Sequence, residues 1–141
     1  LLDVPCSGEG LFLAGDPRTS RHWSPKEVGR LASLQKKLFS SAFQALKPGG
    51  TLVYSTCTLS PEENEIVVDW ALSEFAGRLK VAEISPRIPG AQAGSKDFGP
   101  ATRLRPDVEK ALRIFPSKLM EGFICRLKKA ESGRAQSKDQ M

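Results

Sequence analysis

The sequence predicts an α/β fold whose first two strands run parallel, and three observations carry that expectation. Leu1 to Val4 and Thr51 to Ser55 are short apolar or β-branched runs, and a helical pattern of about twenty residues lies between them. Strand, connector, helix and strand in that order make a βαβ unit, with a right-handed crossover and parallel strands. A second helical pattern and a closing strand at Gly122 to Leu127 extend the same sheet.

The first strand ends at Val4 because Pro5-Cys6-Ser7-Gly8-Glu9-Gly10 holds a proline and two glycines, which do not continue a buried strand. Gly8-Glu9-Gly10 lacks the third glycine and immediate helix of a dinucleotide fingerprint. Leu11 to His22 reads as an irregular connector, and His22, the single histidine, as a solvated loop residue. Ser24-Pro25-Lys26-Glu27 forms a capping box, and Trp23 before it is placed to staple onto Val28. Val28, Leu31, Ala32, Leu38, Phe39, Ala42, Phe43 and Leu46 then recur at steps of three and four along the buried face. Gln35 falls inside that stripe and breaks it. Lys47-Pro48-Gly49-Gly50 stops the helix and turns the chain into the strand at Thr51.

Cys57 follows that strand directly, and a second helix is expected at once behind it. Ser60 reads as its N-cap, Pro61 as its first residue, and Glu63 as the capping-box carboxylate. The positive end of such a helix would favour the thiolate, so Cys57 is expected to ionise below the free value of about 8.5. If the strands are parallel, Cys6, Cys57 and Asp3 all emerge at the carboxyl edge of one sheet, where open α/β folds bind their ligands. The helix runs through Ile66, Val67, Trp70, Ala71 and Phe75, and Leu79 to Ile84 suits another strand. From Ser85 to Lys118 the chain is rich in proline and glycine, with seven Lys and Arg against three acids. That makes it a long basic loop able to meet phosphates. Cys125 in the last strand reads as core, and Lys128 to Met141 as a frayed polar tail.

Composition narrows the class. The 141 residues fit one domain, and 40% hydrophobic content is enough for a core. No apolar run is long enough to cross a bilayer and nothing resembles a signal peptide, so a cytoplasmic protein is expected. Cys6, Cys57 and Cys125 are odd in number and widely separated, which fits neither a disulfide framework nor a zinc site. No metal is expected. A net charge of +5 points to an anionic partner such as nucleic acid.

Three segments carry a resemblance. Residues 1–10 read Leu-Leu-Asp-Val-Pro-Cys-Ser-Gly-Glu-Gly, residues 54–65 read Tyr-Ser-Thr-Cys-Thr-Leu-Ser-Pro-Glu-Glu-Asn-Glu, and Arg113-Ile114-Phe115-Pro116 is followed by Glu121-Gly122-Phe123. Together they resemble the Nol-Nop-Sun family of RNA cytosine-5 methyltransferases, and Trp23-Ser24-Pro25, Gln35 and Lys47 to Gly50 match its intervening pattern. The Ser7 to Gly10 turn is most similar to the bacterial ribosomal-RNA members. The resemblance implies the carboxyl-terminal half of a Rossmann-like class I methyltransferase sheet, spanning residues 1–129, and the polar composition of 130–141 suits a disordered tail beyond it. It implies S-adenosyl-L-methionine as cofactor and RNA as partner, rRNA before tRNA. Cys57 matches the family's nucleophile, Cys6 its second cysteine, and Asp3 the carboxylate between cofactor and base. The target cytosine must be single-stranded or flipped out for a thiol to reach carbon 6.

In that family the glycine-rich loop and the acids that hold the cofactor precede the Pro-Cys motif. The chain alone is therefore expected to lack the amino-terminal half, to bind cofactor negligibly and to be inactive. Two competing readings follow from the residues. In one, a non-catalytic RNA-binding remnant uses the basic loop and its cysteines are vestigial. In the other, a cysteine hydrolase uses His22 as base.

Overall fold

A computed structural model describes residues 1–115 and 121–131. Pro116 and Lys118 of the basic loop, and the expected tail beyond residue 131, lie outside the described residues. The strands are β1 (Leu2–Asp3), β2 (Thr51–Thr56), β3 (Leu79–Ala82), β4 (Gln92–Ala93), β5 (Leu112–Ile114) and β6 (Gly122–Lys129). The helices are α1 (Pro25–Ala45) and α2 (Glu65–Glu74). The sheet runs β1-β2-β6-β5-β4, and β3 also pairs with β6.

β1 and β2 are parallel, with Leu2 opposite Tyr54 and Asp3 opposite Ser55, as the βαβ pattern requires. β6 is antiparallel to β2, β3 and β5, and its length lets it pair with β5 near Phe123 and with β3 near Leu127. It includes Lys128 and Lys129, which the sequence placed in the tail. Lys129 Nζ donates to the Phe43 and Leu46 carbonyls at 2.8 Å each, so a strand lysine caps the carboxyl end of α1.

α1 begins as expected. Ser24 caps it by accepting from the Glu27 N–H, and Val28, Leu31, Ala32, Phe39 and Phe43 are buried. The core joins Phe39 and Phe43 of this stripe to Leu52 and Tyr54 of β2, Val67, Val68 and Ala71 of α2, and Phe123, Cys125 and Leu127 of β6. His22 is exposed, as expected of a loop residue.

Two expectations fail. The second helix opens at Glu65 with Asn64 as N-cap, four residues later than Pro61. Ser60 Oγ donates to Glu62, and the Glu63 carboxyl accepts from Ser7 and Gln35, so neither is available to build a capping box. Residues 61–64 instead form an irregular turn, and the helix end expected directly behind Cys57 is displaced along the chain. The basic stretch is also more ordered than a loop. It holds β4, a 3₁₀ turn at Pro106–Lys110, and β5.

Candidate active site

The parallel register of β1 and β2 decides where the candidate side chains emerge. The Val4 N–H still donates to the Ser55 carbonyl at 3.1 Å, after which both strands end and the loops bearing Cys6 and Cys57 begin side by side. The two sulfurs lie 2.7 Å apart, and the Cys57 N–H points at Cys6 Sγ from 3.2 Å. Both residues are half-buried. Asp3, exposed at the end of β1, accepts from Ser55 Oγ at 2.8 Å. The structure thus gathers Asp3, Cys6 and Cys57 at the carboxyl edge of one strand pair, as the topology predicts.

Backbone crowding fixes the Cys57 loop from two sides. The Gly10 N–H donates to the Cys57 carbonyl at 3.0 Å, and a Cβ at Gly10 would stand 2.8 Å from that oxygen. Gly122, at φ 148, adopts a conformation that side chains disfavour, and a Cβ there would collide with the Thr56 carbonyl. Glycine is needed at both positions because the backbone of the cysteine loop passes where a side chain would be.

Beneath the cysteines lies a buried polar network. Glu63, fully buried, accepts from the Ser7 N–H at 2.9 Å, from Ser7 Oγ at 2.5 Å and from Gln35 Nε2 at 3.0 Å. Gln35 Nε2 also donates to the Pro5 carbonyl at 2.9 Å. Ser7 Oγ and Thr58 Oγ1 are 2.9 Å apart, and Tyr54 donates its hydroxyl to the Glu63 carbonyl at 2.6 Å. Asn64 bridges Thr56 Oγ1 and the Thr58 carbonyl. Glu9 joins the connector to this end by accepting from Trp23 Nε1 and the Leu59 N–H.

Arg113 completes the support, and here the basic-loop expectation is corrected. It was counted among cations for phosphates, yet it is buried and forms a two-point pair with Glu65, Nη2 to Oε2 at 2.7 Å. Pairing of β5 with β6 turns it inward, and its Nη1 donates to the Leu59 carbonyl at 2.9 Å. Lys96, Arg105 and Lys110 are paired with Glu109, Asp69 and Asp107 respectively. Much of the charge in this stretch is thereby neutralised locally. A cleft of about 520 Å³ between α2 and residues 96–106 is lined by Arg103 and Arg105 but by neither cysteine.

Burial pushes the Cys6 thiol up to about 12, and its contact with Cys57 adds to the shift. Cys6 is therefore a protonated S–H at neutral pH, able to donate to a neighbouring sulfur. Burial raises Cys125 too, consistent with its place in the core. No group of three or more histidine, cysteine and acidic residues suited to a metal ion occurs among the described residues. Of the supporting residues, Gln35 was the one with a visible signal, a polar residue inside an apolar stripe. Glu63 was assigned to a cap, and the Glu65 to Arg113 pair gave no local signal because 48 residues separate its members.

A half-sheet with parallel β1 and β2, antiparallel β6 and an open carboxyl edge defines the chain as part of a Rossmann-like methyltransferase fold. Solved methyltransferases share it. A methyltransferase homolog protein from Pyrococcus horikoshii superposes with a TM-score of 0.71 at 33% identity, over 91% of this chain and 37% of that one. NSun6 from Pyrococcus horikoshii, solved with SFG, an S-adenosylmethionine analogue, superposes with a TM-score of 0.66 at 33% identity, over 92% and 29%. The model of the family described as 16S rRNA methyltransferase RsmB/F matches residues 1–127, and the chain belongs to that family. Ribosomal RNA small subunit methyltransferase F of Cronobacter sakazakii is 42% identical over 134 residues, covering 94% of this chain and 25% of the relative. The Shigella flexneri serotype 5b protein of the same name is 40% identical over 94% of this chain and 26% of its own length. The chain thus spans about a quarter of these curated relatives.

Proposed function

We propose that this chain carries the cysteine chemistry of an RNA cytosine-5 methyltransferase acting on rRNA in the cytoplasm. The observation that carries the reading is the meeting of Cys6 and Cys57, from loops 51 residues apart, with sulfurs 2.7 Å apart beside the Asp3 carboxyl. Cys57 Sγ adds to carbon 6 of a cytosine exposed from its stack, and the electron pair of the 5,6 double bond moves onto carbon 5 and the ring. S-adenosylmethionine, when bound, would supply the methyl group that carbon 5 takes, the broken sulfur–methyl bond leaving S-adenosylhomocysteine. The carbon 5 proton then passes to water, the double bond re-forms, and the bond from carbon 6 to sulfur breaks. Cys6, held as a thiol, offers a hydrogen bond from its S–H to the Cys57 sulfur as it departs as thiolate, keeping its own proton, and so assists release.

Asp3 is the residue here that fits the cofactor. Its exposed carboxyl at the strand end offers charge complementarity to a sulfonium, and a hydrogen-bond acceptor to a base edge. Because the chain covers about a quarter of its relatives, cofactor binding is proposed to need residues beyond it. The isolated 141 residues should transfer no methyl groups, and turnover by them alone would refute that.

The direct test is covalent trapping. The chain is substituted for its counterpart in the Cronobacter sakazakii relative and mixed with S-adenosylmethionine and rRNA containing 5-azacytidine. A denaturant-stable adduct in wild type and Cys6→Ala, absent in Cys57→Ala, is the expected result. An adduct that survives Cys57→Ala removes the proposed nucleophile. RNA binding with no adduct in wild type turns the reading toward a binding remnant.

A further inference from the structure

Cys6 accepts the Cys57 N–H and meets the Cys57 sulfur, but both residues beside it are held from below. The Pro5 carbonyl accepts from Gln35 Nε2, and the Ser7 N–H and hydroxyl both donate to Glu63. Gln35 and Glu63 are bonded to each other and fully buried. Both neighbours of Gln35 Nε2 are acceptors, which fixes the orientation of its amide. Its Oε1 is then buried with no hydrogen-bond partner among the described residues. An orphaned buried carbonyl is destabilising, so it offsets part of what the two Nε2 bonds to Pro5 and Glu63 contribute. An apolar side chain of the same length would remove the orphan and continue the stripe, but the Pro5 carbonyl and Glu63 would lose their shared donor.

From this we infer that Gln35 and Glu63 are a positioning pair for Cys6, holding its thiol against Cys57 so that release of the methylated base is fast. The role in release rests on the methyl-transfer reading above, whereas the placement of the thiol does not. The pair touches neither sulfur, and it acts through the backbone of Pro5 and Ser7. A methionine at position 35 keeps the volume, loses the orphan and frees Pro5. A glutamine at position 63 can keep every bond, its carbonyl accepting from Ser7 and Gln35 while its amide donates to Ser7 Oγ. A leucine there loses them all.

The experiment has two readouts. In the chain itself, the Cys6 to Cys57 disulfide is equilibrated with reduced and oxidised glutathione and quantified by peptide mass spectrometry, alongside the melting temperature. Gln35→Met should lower the effective concentration of one thiol toward the other at least fivefold, with a melting temperature lowered by the donor that Pro5 and Glu63 lose but a cooperative transition retained. Glu63→Leu should lower it further, and Glu63→Gln should stay within twofold of wild type. An unchanged equilibrium in folded Gln35→Met overturns the inference. In the substituted relative, Gln35→Met should accumulate adduct on unmodified rRNA at least fivefold above wild type, with adduct formation on 5-azacytidine RNA within twofold. Equal loss of formation and release would overturn the release role. A weakened dithiol equilibrium in a protein that forms no adduct at all upholds the placement while the methyl-transfer reading fails.

Discussion

The space between helices and sheet is filled in two different ways at its two ends. Along α1, Gln35, Phe39 and Phe43 follow one another at intervals of four on a single buried stripe. At the Phe39 and Phe43 end the contacts are aromatic. Phe43 stacks on Phe75 with ring centroids 3.9 Å apart, and Phe39 meets Trp70 edge-on. At the Gln35 end the contacts are polar, with Glu63, Asn64, Glu65 and Thr58 all fully buried. Aromatic packing is strong and tolerant of small shifts, whereas a hydrogen bond lapses if either partner moves by a fraction of an ångström. Buried ion pairs add little net stability once desolvation is counted, but they penalise any arrangement that leaves one charge alone. The aromatic end keeps the chain folded, and the polar end makes one arrangement of the cysteine loops cheaper than all others.

That contrast is broken most severely at Arg113. Arg113→Met leaves the buried Glu65 carboxylate uncompensated and the Leu59 carbonyl without its donor, at a cost of about 4 kcal/mol in urea unfolding. Adding Glu65→Leu to Arg113→Met should recover part of the loss, because the uncompensated charge is gone while the Ser95 N–H and the Leu59 carbonyl stay without their partners. If the double variant stays as unstable as the single, the pair is a genuine source of stability and the contrast is wrong. Phe43→Ala at the other end should cost about 3 kcal/mol, since Phe75 and the stems of Arg78 and Lys129 can partly close the space. Its cysteine pair should equilibrate with glutathione as in wild type. A changed dithiol equilibrium in Phe43→Ala would mean that the two ends are not independent.

The aromatic end was legible in the sequence and most of the polar end was not. Steps of three and four announced α1 and its buried face, and the strand-forming run of β2 within a βαβ unit, with Cys57 just behind it, announced the edge where the site lies. Local rules erred where a long-range partner outbid a near one. Ser60, Pro61 and Glu63 make a plausible helix start, but Glu63 is 56 residues from Ser7 and prefers two donors there to one cap N–H. Arg113 looked like another cation in a basic stretch because nothing near it shows that Glu65, on α2, will be its partner. Register and crossover sense follow from short-range geometry, whereas the pairing of buried charges depends on the finished fold.

The smallest expected effect compares a fully buried thiol with a half-buried one. Cys125 is raised by burial with the Glu65 charge adding to it, and Cys6, half-buried, by burial together with Cys57. For Cys6 the folded value is about 12 against an ordinary 9.0, so the folded state holds its proton more tightly than the unfolded chain does. Its contribution is complete below pH 9 and is lost as pH rises toward 12, because there the unfolded chain releases a proton that the folded one retains. Urea unfolding from pH 8 to pH 11 should therefore show a steeper decline in wild type than in Cys6→Ser. The decline in Cys125→Ala should be shallower as well, by a separate amount. If the three slopes coincide, the Cys6 thiol is not held protonated by the fold, and its part as donor to the departing sulfur of Cys57 falls with it.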